Sequence, residues 1–486
     1  MQFSSIYFIL FFLPVSLIGY HLADRKSPRR ARLFLLACSL FFCGLTDLWS
    51  LLILIAEALI GWSFSRIIFR TGTQTKKAGR AAAAGIALQI LALVFFKYTG
   101  FLIGNIGVLF HEDFVWHSLI LPLGISYTTF TQIAYLADCC RGRIKKPMDP
   151  ASYALYLSFF PKLSQGPIAT GTVLAEEIAG EKGGHVTADG LADGIILFVL
   201  GLSKKLLIAD IFGRAVDMGL SQNPYLTATD IAIIALSYTF QIYFDFSGYS
   251  DMAIGLARMF GYTLPVNFDS PYRARSITDF WRRWHMSLTG FFREYVYFPL
   301  GGSRKGTVRT CVNIMIVFLL SGLWHGANWT FVLWGFFHGA LQVIERLGGR
   351  VLDRIPGWIR GTVTFVLVSV LWLLFRCSSV AEFRGLLYLA ADQLYPYIND
   401  DMLEIFRLPA SRSVLQLMGL SVSDTLLETM SLFLWMALSF VICLQPRNNT
   451  SGRYRRNGWT LILTAALFVL CVLSTSRIST FIYTSF

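Results

Sequence analysis

The sequence predicts an all-α, polytopic membrane protein, and three observations support this fold class. Of its 486 residues, 55% are hydrophobic and only 15% are charged, whereas soluble chains contain ~25% charged residues. The mean hydropathy is +0.57. Apolar stretches close to the ~20 residues needed to cross a bilayer recur along the chain. A soluble protein of this length has too little interior to bury so much apolar surface, so we exclude disordered, coiled-coil and disulfide-rich secreted proteins.

The charge pattern also points to a lipid bilayer as the partner. The net charge is +13, but the basic residues occur in short runs between apolar stretches, as the positive-inside rule expects. No basic patch alternates with exposed aromatic residues, so we expect no nucleic-acid partner. The eight cysteines lack C-x-x-C spacing, and therefore neither a disulfide framework nor a metal site is predicted.

The first 146 residues predict five spans with an extracytoplasmic N-terminus. The apolar stretches are residues 5–23, 33–46, 49–65, 81–110 and 118–138, and a short turn around Asp47 is expected between the second and the third. The first stretch is expected to be a retained span and no cleaved signal peptide, because its basic cluster follows it. Basic runs at 25–32, 66–80 and 141–146 alternate with loops that lack them, which places these three loops in the cytoplasm.

Beyond residue 150 the pattern is less regular. Residues 153–167 predict a re-entrant or membrane-surface segment. Further spans are predicted at 190–209, 228–246, 311–323, 329–344, 360–376, 424–444 and 459–476. The basic loop at 447–456 is expected in the cytoplasm, which leaves the C-terminus outside. Roughly ten to twelve helices then form one membrane domain over residues 1–486, with core motifs at 121–345 and C-terminal spans and tail at 346–486.

Ionisable residues at membrane depth are costly and therefore mark candidate sites. The run from Asp245 to Asp251 contains two carboxylates, two serines and a glycine between apolar neighbours. One interpretation is a helix break whose carboxylates cap backbone N–H groups. The other is a substrate cavity lined by Asp245 and Ser247.

Residues 276–297 predict an amphipathic helix that begins at Thr278 or Asp279. Its aromatic face contains Trp281, Trp284, His285, Leu288, Phe292 and Tyr295. A helix lying in the cytoplasmic interface explains this pattern, with tryptophan anchors and arginines towards the headgroups. It does not explain His285, which is either a satisfied core residue or a functional one.

A third candidate site is the segment from Ser321 to Thr330. His325 lies between hydrophobic segments, and Gly322 and Gly326 allow the backbone there to approach a ligand closely. Trp324, Trp329 and Asn328 are expected to complete an amphipathic pocket. A neutral imidazole in such a pocket can accept a proton from a hydroxyl group and return it to a leaving group. Metal binding is disfavoured because no H-E-x-x-H spacing occurs, and nucleotide-binding and serine-hydrolase motifs are also missing from the sequence.

Several motifs resemble those of the membrane-bound O-acyltransferases. The matching stretches are LPLGISYTTF (121–130), FFPKLSQGPI (159–168), LGLSKKLLIAD (200–210), YFDFSGYSDMAIGLARMFGYTLPVNFDSPY (243–272), SITDFWRRWHMSLTGFFREYVYFPLGG (276–302) and GLWHGANWTFVLWGFFHG (322–339). The similarity is to the bacterial branch that acetylates extracytoplasmic glycans such as alginate, cellulose and peptidoglycan or transfers D-alanine to teichoic acids.

The resemblance implies a ring-like membrane body with a central tunnel. It implies that His325 is the essential histidine and that His285 lines the same route from the cytoplasmic side. The donor is then acetyl-CoA or another acyl thioester, including one on a carrier protein, and no bound cofactor is expected. The implied location is the bacterial inner membrane.

The C-terminal residues Phe481-Ile-Tyr483-Thr-Ser-Phe486 also resemble a tail of related systems. The resemblance implies that Tyr483 carries the acyl group as an ester and that a separate extracytoplasmic transferase takes it onwards. From the pattern alone, Tyr483 is an interfacial aromatic residue. Two other functions stay open: a transporter or flippase of a glycan or its lipid-linked precursor, and D-alanyl transfer to teichoic acid.

Overall fold

The fold was obtained as a computed structural model. It describes residues 1–112, 114, 116, 119–169, 172–180, 183–222, 225–408, 412, 417, 421–446, 454, 457–474, 481 and 482. Within these residues the regular structure is entirely helical. The helices are α1 (Phe8–Asp24), α2 (Pro28–Gly44), α3 (Leu48–Thr71), α4 (Lys76–Phe110), α5 (Ile125–Cys140), α6 (Pro150–Ser158), α7 (Val173–Ala179), α8 (Ala188–Ser203), α9 (Asp210–Ser221), α10 (Ala228–Met259), α11 (Ile277–Arg283), α12 (Met286–Phe292), α13 (Gly306–His325), α14 (Trp329–Leu352), α15 (Gly357–Arg376), α16 (Val380–Asp392), α17 (Asp400–Ile405), α18 (Asp424–Cys443) and α19 (Gly458–Ser474).

The predicted class of helical, polytopic membrane protein is confirmed. Five helices of the described chain are long and apolar enough to cross a membrane: α3, α4, α13, α15 and α18. Two shorter apolar helices, α1 and α19, coincide with the predicted first and last spans. The total of ten to twelve spans stays a prediction.

The predicted turn between the second and third spans is confirmed at Asp47. Its carboxylate accepts hydrogen bonds from the backbone N–H groups of Trp49, at 3.2 Å, and Ser50, at 2.9 Å. These groups have no partner inside a helix, so a short acidic side chain immediately before them stabilises the start of α3.

Two glycine pairs hold α8 against α10 at the centre of the molecule. A Cβ on Gly201 would lie 2.5 Å from the carbonyl oxygen of Gly248, and a Cβ on Gly194 would lie 2.6 Å from that of Gly255. The two glycines of each helix are seven residues apart, which is two helical turns, so they share one face. Backbone contact at this face brings the lysines at the end of α8 close to the carboxylates of α10.

The predicted helix break at 245–251 is wrong. Helix α10 continues through this run without interruption. The carboxylates of Asp245 and Asp251 receive lysine side chains from the neighbouring helical segment, at 2.6 Å in each case. The two carboxylates pair with lysines and do not cap backbone N–H groups of α10, and Gly248 serves close helix packing.

The predicted single helix over 276–297 is also wrong. The chain forms α11, α12 and a π-helical turn at Arg293–Tyr297, and Ser276, not Thr278 or Asp279, caps α11. The break falls at His285, whose φ of 44° lies in the left-handed region. Trp281, Trp284 and His285 are all at most 5% exposed, so the predicted aromatic face packs inside the protein.

Candidate active site

His325 is the last residue of α13 and is only 3% exposed. Its imidazole ring lies 4.9 Å from the ring of Trp324, 5.1 Å from that of Trp334 and 5.2 Å from that of Phe375, between centroids. Because these three aromatic side chains surround the imidazole, it faces an aromatic interior rather than lipid.

A glycine contact between α13 and α14 fixes the position of His325. A Cβ on Gly322 would lie 2.3 Å from the carbonyl oxygen of Phe331, and one on Gly335 would lie 2.3 Å from that of Phe318. The two glycine Cα atoms are therefore in close proximity, and the helices touch through their backbones. Gly322 precedes His325 by one turn, so this contact sets where the imidazole lies.

His285 is held by Asn267. Its Nδ1 lies 3.3 Å from Oδ1 of Asn267, and the N–H of Met286 donates to the carbonyl oxygen of Asn267 at 2.9 Å. The Nδ2 group of Asn267 donates to Ser250 at 3.2 Å, which leaves Oδ1 as the acceptor and assigns the proton of His285 to Nδ1. Within the described chain, Nε2 of His285 has no hydrogen-bond partner. Burial lowers the pKa of His285 to about 3, so this imidazole is neutral.

Trp324 connects the two predicted histidines. Its ring centroid lies 6.1 Å from that of His285 and 4.9 Å from that of His325. Its Nε1 has no hydrogen-bond partner among the residues described. Two imidazoles from segments 40 positions apart in sequence therefore share one buried indole.

A third histidine extends this cluster. His338 on α14 accepts a hydrogen bond at Nδ1 from Nε1 of Trp281, at 3.2 Å, and its ring lies 4.8 Å from that of Trp334. Trp334 in turn contacts His325. The sequence interpretation gave His338 no role, although it lies in the same motif as His325.

Lys97 is the main residue that sequence reasoning missed. Its Nζ donates to the carbonyl oxygen of Trp324 at 2.6 Å and to that of His325 at 3.3 Å. These carbonyls lie at the C-terminal end of α13, where the helix dipole favours a cation. A single lysine inside the apolar stretch 81–110 is the sequence feature that could have identified it, because an intramembrane charge is rarely without a function.

Three residues singled out in the sequence, Trp284, Asn328 and Trp329, make contacts away from His325. Trp284 packs at 4.9 Å against Trp372. Asn328 caps α14: its Oδ1 accepts from the N–H of Thr330 at 3.1 Å, and its Nδ2 donates to the carbonyl of Ser378 at 2.7 Å. Trp329 is 53% exposed. The predicted pocket of Trp324, Asn328 and Trp329 is therefore not formed, because the turn after Gly326 directs the last two towards other contacts.

The predicted residues on α10 belong to a buried charge cluster. Lys205 lies 2.6 Å from Asp245 and 2.8 Å from Asp210, and Lys204 lies 2.6 Å from Asp251. Ser247 is buried, and its Oγ has no hydrogen-bond partner within the described residues. The lysines contribute two cations that the interpretation of 245–251 did not include.

Tyr483 lies outside the described residues. The two residues before it are described: Phe481 is 1% exposed, and the N–H of Ile482 donates to Oδ2 of Asp245 at 2.9 Å.

Two adjoining cavities with basic walls lie beside α11. Their volumes are about 630 and 350 Å³, and they share Thr278, Arg282 and Arg346. Arg275 lines the larger cavity and Arg293 the smaller. Among the residues described, no carboxylate oxygen lies within 4.0 Å of the guanidinium groups of these four arginines. The smaller cavity is also lined by Trp281 and Ser321, which connect it to the histidine cluster.

No group of three or more potential metal ligands occurs in the described part of the chain. The arrangement is therefore that of a helical membrane protein with buried histidines beside a basic cavity. The family model of the membrane-bound O-acyltransferases matches residues 126–378. The chain belongs to this family, and it is an acyltransferase.

Similar proteins extend the match beyond the family model. A peptidoglycan O-acetyltransferase of Helicobacter pylori is 34% identical over 411 residues, covering 78% of this chain and 77% of the relative. A protein of Pseudomonas aeruginosa named probable alginate O-acetylase is 37% identical over 386 residues, covering 78% and 73%. A protein of the same name from Pseudomonas putida is 33% identical over 509 residues and covers both chains fully.

Proposed function

We propose that this enzyme moves an acetyl group from cytoplasmic acetyl-CoA across the inner membrane for O-acetylation of an extracytoplasmic polysaccharide such as alginate. The observation that carries the proposal is the buried pair His325 and His285 on either side of Trp324. Relatives that match 78–100% of this chain are named for O-acetylation of polysaccharides.

His325 acts as the base of the transfer. Its neutral imidazole accepts the proton of the acceptor hydroxyl, and the oxygen attacks the thioester carbonyl carbon. The new C–O bond forms as the C–S bond breaks, and the leaving thiolate takes the proton back from the imidazolium. One base and a site from which water is excluded suffice for this exchange. Lys97 holds the carbonyl groups of Trp324 and His325, and therefore fixes the backbone that carries the base.

The arginine-lined cavities support a phosphate-bearing donor. Guanidinium groups bind phosphate through paired N–H donors. Four guanidinium groups face the two cavities, and the carboxylates that line these cavities are already bound to other groups. Glu345 accepts from the N–H of Thr278 at 2.9 Å, and Asp353 pairs with Arg360 at 2.9 Å. Since the smaller cavity reaches Trp281, a thioester arm extending from bound phosphates would point towards the histidine cluster.

Tyr483 is the first acceptor in this proposal. Its phenol receives the acetyl group, and a separate extracytoplasmic transferase moves the group to a glycan hydroxyl. The buried position of Phe481 supports this role, because it holds the chain just before Tyr483 within the protein.

Purified protein incubated with radiolabelled acetyl-CoA tests the proposal. The parent protein is expected to release free CoA and to acquire label. His325→Ala should lower both by at least 100-fold, as expected for loss of a general base, at an unchanged amount of protein in the membrane. Tyr483→Phe should remove the label on the protein. His185→Ala is the matched control, because the side chain of His185 is 54% exposed.

Three results would contradict parts of the proposal. Undiminished CoA release by His325→Ala removes this residue from the mechanism. A parent protein that consumes no acetyl-CoA but moves glycan across vesicles is a transporter or flippase. Consumption of a D-alanyl thioester on a carrier protein in place of acetyl-CoA identifies teichoic-acid D-alanylation.

A further inference from the structure

The chain beyond α19 makes two contacts with the buried surface of α10 and one with the π-helical segment Lys204–Ala209 that follows α8. The N–H of Ile482 donates to Oδ2 of Asp245 at 2.9 Å. The ring of Phe481 stands perpendicular to that of Tyr249, with centroids 5.1 Å apart. Nζ of Lys205 lies 4.5 Å from the centre of the Phe481 ring. The protein thus binds the tail through the backbone N–H of Ile482 and through the side chain of Phe481.

The charges at this contact are arranged to receive the tail. Asp245 uses Oδ1 for Lys205, at 2.6 Å, and Oδ2 for the tail amide. Lys205 also pairs with Asp210 at 2.8 Å. Taking an ion pair out of water is costly unless its remaining lone pairs are hydrogen-bonded. The tail amide supplies the partner that Oδ2 needs, and the aromatic ring interacts favourably with the ammonium group.

The tail contact is adjacent to the candidate active site. Phe246 follows Asp245 and its ring lies 4.7 Å from that of His285. Tyr249, which contacts Phe481, is hydrogen-bonded to Ser164 at 2.6 Å. The anchored residues Phe481 and Ile482 therefore directly precede Tyr483. Asp245, which binds Ile482, is followed on α10 by a contact of His285.

We propose that Lys205, Asp245 and Tyr249 form a docking site for residues 481–482, and that this tail site positions Tyr483 to receive the acyl group. The positioning role rests on the proposed function of Tyr483, whereas the docking does not. Lys205, Asp245 and Tyr249 are positioning residues, since they act on the reaction through the tail.

Two double variants of the full-length protein separate docking from the ion pair. Both K205M/D245N and K205M/D245L remove the Lys205–Asp245 ion pair and leave Asp210 in place, but only the asparagine retains an oxygen that can accept from the Ile482 amide. K204M/D251L removes the neighbouring ion pair, whose carboxylate lies six residues further along α10, and serves as the matched control.

Docking is measured with the substitution Ile482→Cys, which is introduced into the parent and into each of the three double variants. The accessibility of this cysteine reports whether the tail is docked. The rate of labelling by a soluble maleimide is corrected for the native cysteines in the parent. We expect at least a tenfold faster rate in K205M/D245L. K205M/D245N and K204M/D251L should stay within threefold of Ile482→Cys alone.

Positioning is measured as the rate at which Tyr483 acquires acetyl from labelled acetyl-CoA. We expect at least a tenfold loss in K205M/D245L with an unchanged KM for acetyl-CoA, and rescue in K205M/D245N. Equal behaviour of the two double variants overturns the proposal, because it shows that the oxygen at position 245 does not hold the tail. A docked tail in a parent protein that never acetylates Tyr483 overturns the positioning role and the carrier role but not the docking.

Discussion

His285 shows how a single residue is constrained at the site. A non-glycine residue in the left-handed region costs about 1–2 kcal/mol, and His285 adopts it with a φ of 44°. Asn267 offsets this cost by binding both the side chain of His285 and the N–H of the next residue. The conformation turns the chain between α11 and α12, so that the imidazole points into the cluster around Trp324.

The depressed pKa of His285 predicts a specific loss of stability in acid. In the unfolded chain this imidazole binds a proton below its usual pKa near 6.5, whereas burial in the folded protein lowers the pKa to about 3. Between these values the unfolded state binds more protons, so stability falls as the pH falls. The expected loss is up to about 1.4 kcal/mol per pH unit.

His285→Gln tests this expectation, because it removes the titrating group. Thermal unfolding of detergent-solubilised parent and variant is compared at pH values near 7 and near 5. The parent should lose about 2 kcal/mol more than the variant over this interval. Equal losses would mean that His285 has access to water and is not buried in the neutral form.

Single residues of the site could be predicted only in part from the sequence. His325 and His285 were identified because their motifs are specific and their types suit proton transfer. Asn267 was not, because its function depends on a contact across 18 positions that no local pattern encodes. Asn328 was assigned to a pocket, but a helix N-cap explains the same residue type directly before α14.

Helix packing through glycine determines the geometry at the scale of elements. Gly322 and Gly335 let α13 and α14 touch, and the pairs Gly194–Gly255 and Gly201–Gly248 do the same for α8 and α10. The first contact places His325, and the other two bring Lys205 to Asp245. Small residues at such interfaces permit the close approach that drives helix association in membranes.

Gly322→Ala should therefore damage both stability and activity. The new Cβ would lie 2.3 Å from the carbonyl oxygen of Phe331, which forces α13 and α14 apart and displaces His325. Overpacking of this kind costs about 1–3 kcal/mol. The expected result is a lower unfolding temperature together with at least tenfold slower release of CoA.

Gly385→Ala is the control for this substitution. A Cβ at Gly385 would meet no atom within 4 Å, and alanine favours the helix by up to about 1 kcal/mol. Its stability and CoA release should match those of the parent or exceed them. Parent-like behaviour of Gly322→Ala would show that the two helices do not need backbone contact to place the histidine.

The elements themselves could be predicted where hydrophobicity decides them. The turn at Asp47 and the long apolar helices follow from local patterns and were confirmed. The continuous α10 and the broken segment from 276 to 297 could not be predicted locally. The shapes of these two segments depend on tertiary partners. Lys204 and Lys205 pair with the carboxylates of α10. Asn267 stabilises the left-handed turn at His285.

At the scale of the whole molecule, contacts join two of the basic loops to the segment after α12. The N–H of Gln74 donates to the carbonyl of Cys140 at 2.9 Å, which joins the loop before α4 to the end of α5. Arg141 and Arg143 pair with Glu294 at 3.1 and 2.6 Å, which joins that end to the π-helical turn after α12. The charge rule assigns such loops to the cytoplasm, and the arginine-lined cavities begin beside the same segment.

This arrangement predicts that acetyl-CoA is consumed from one side of the membrane only. Sealed inside-out vesicles, which present the cytoplasmic face, should release CoA from added acetyl-CoA, and sealed right-side-out vesicles should not until they are permeabilised.

Arg346→Gln should raise the KM for acetyl-CoA by about tenfold, since one charge-assisted hydrogen bond to phosphate contributes about 1.5 kcal/mol. The exposed Arg354, which lines neither cavity, provides the control Arg354→Gln. Equal consumption from both faces, or an unchanged KM in Arg346→Gln, would place the donor site elsewhere and remove the arginine cavities from the mechanism.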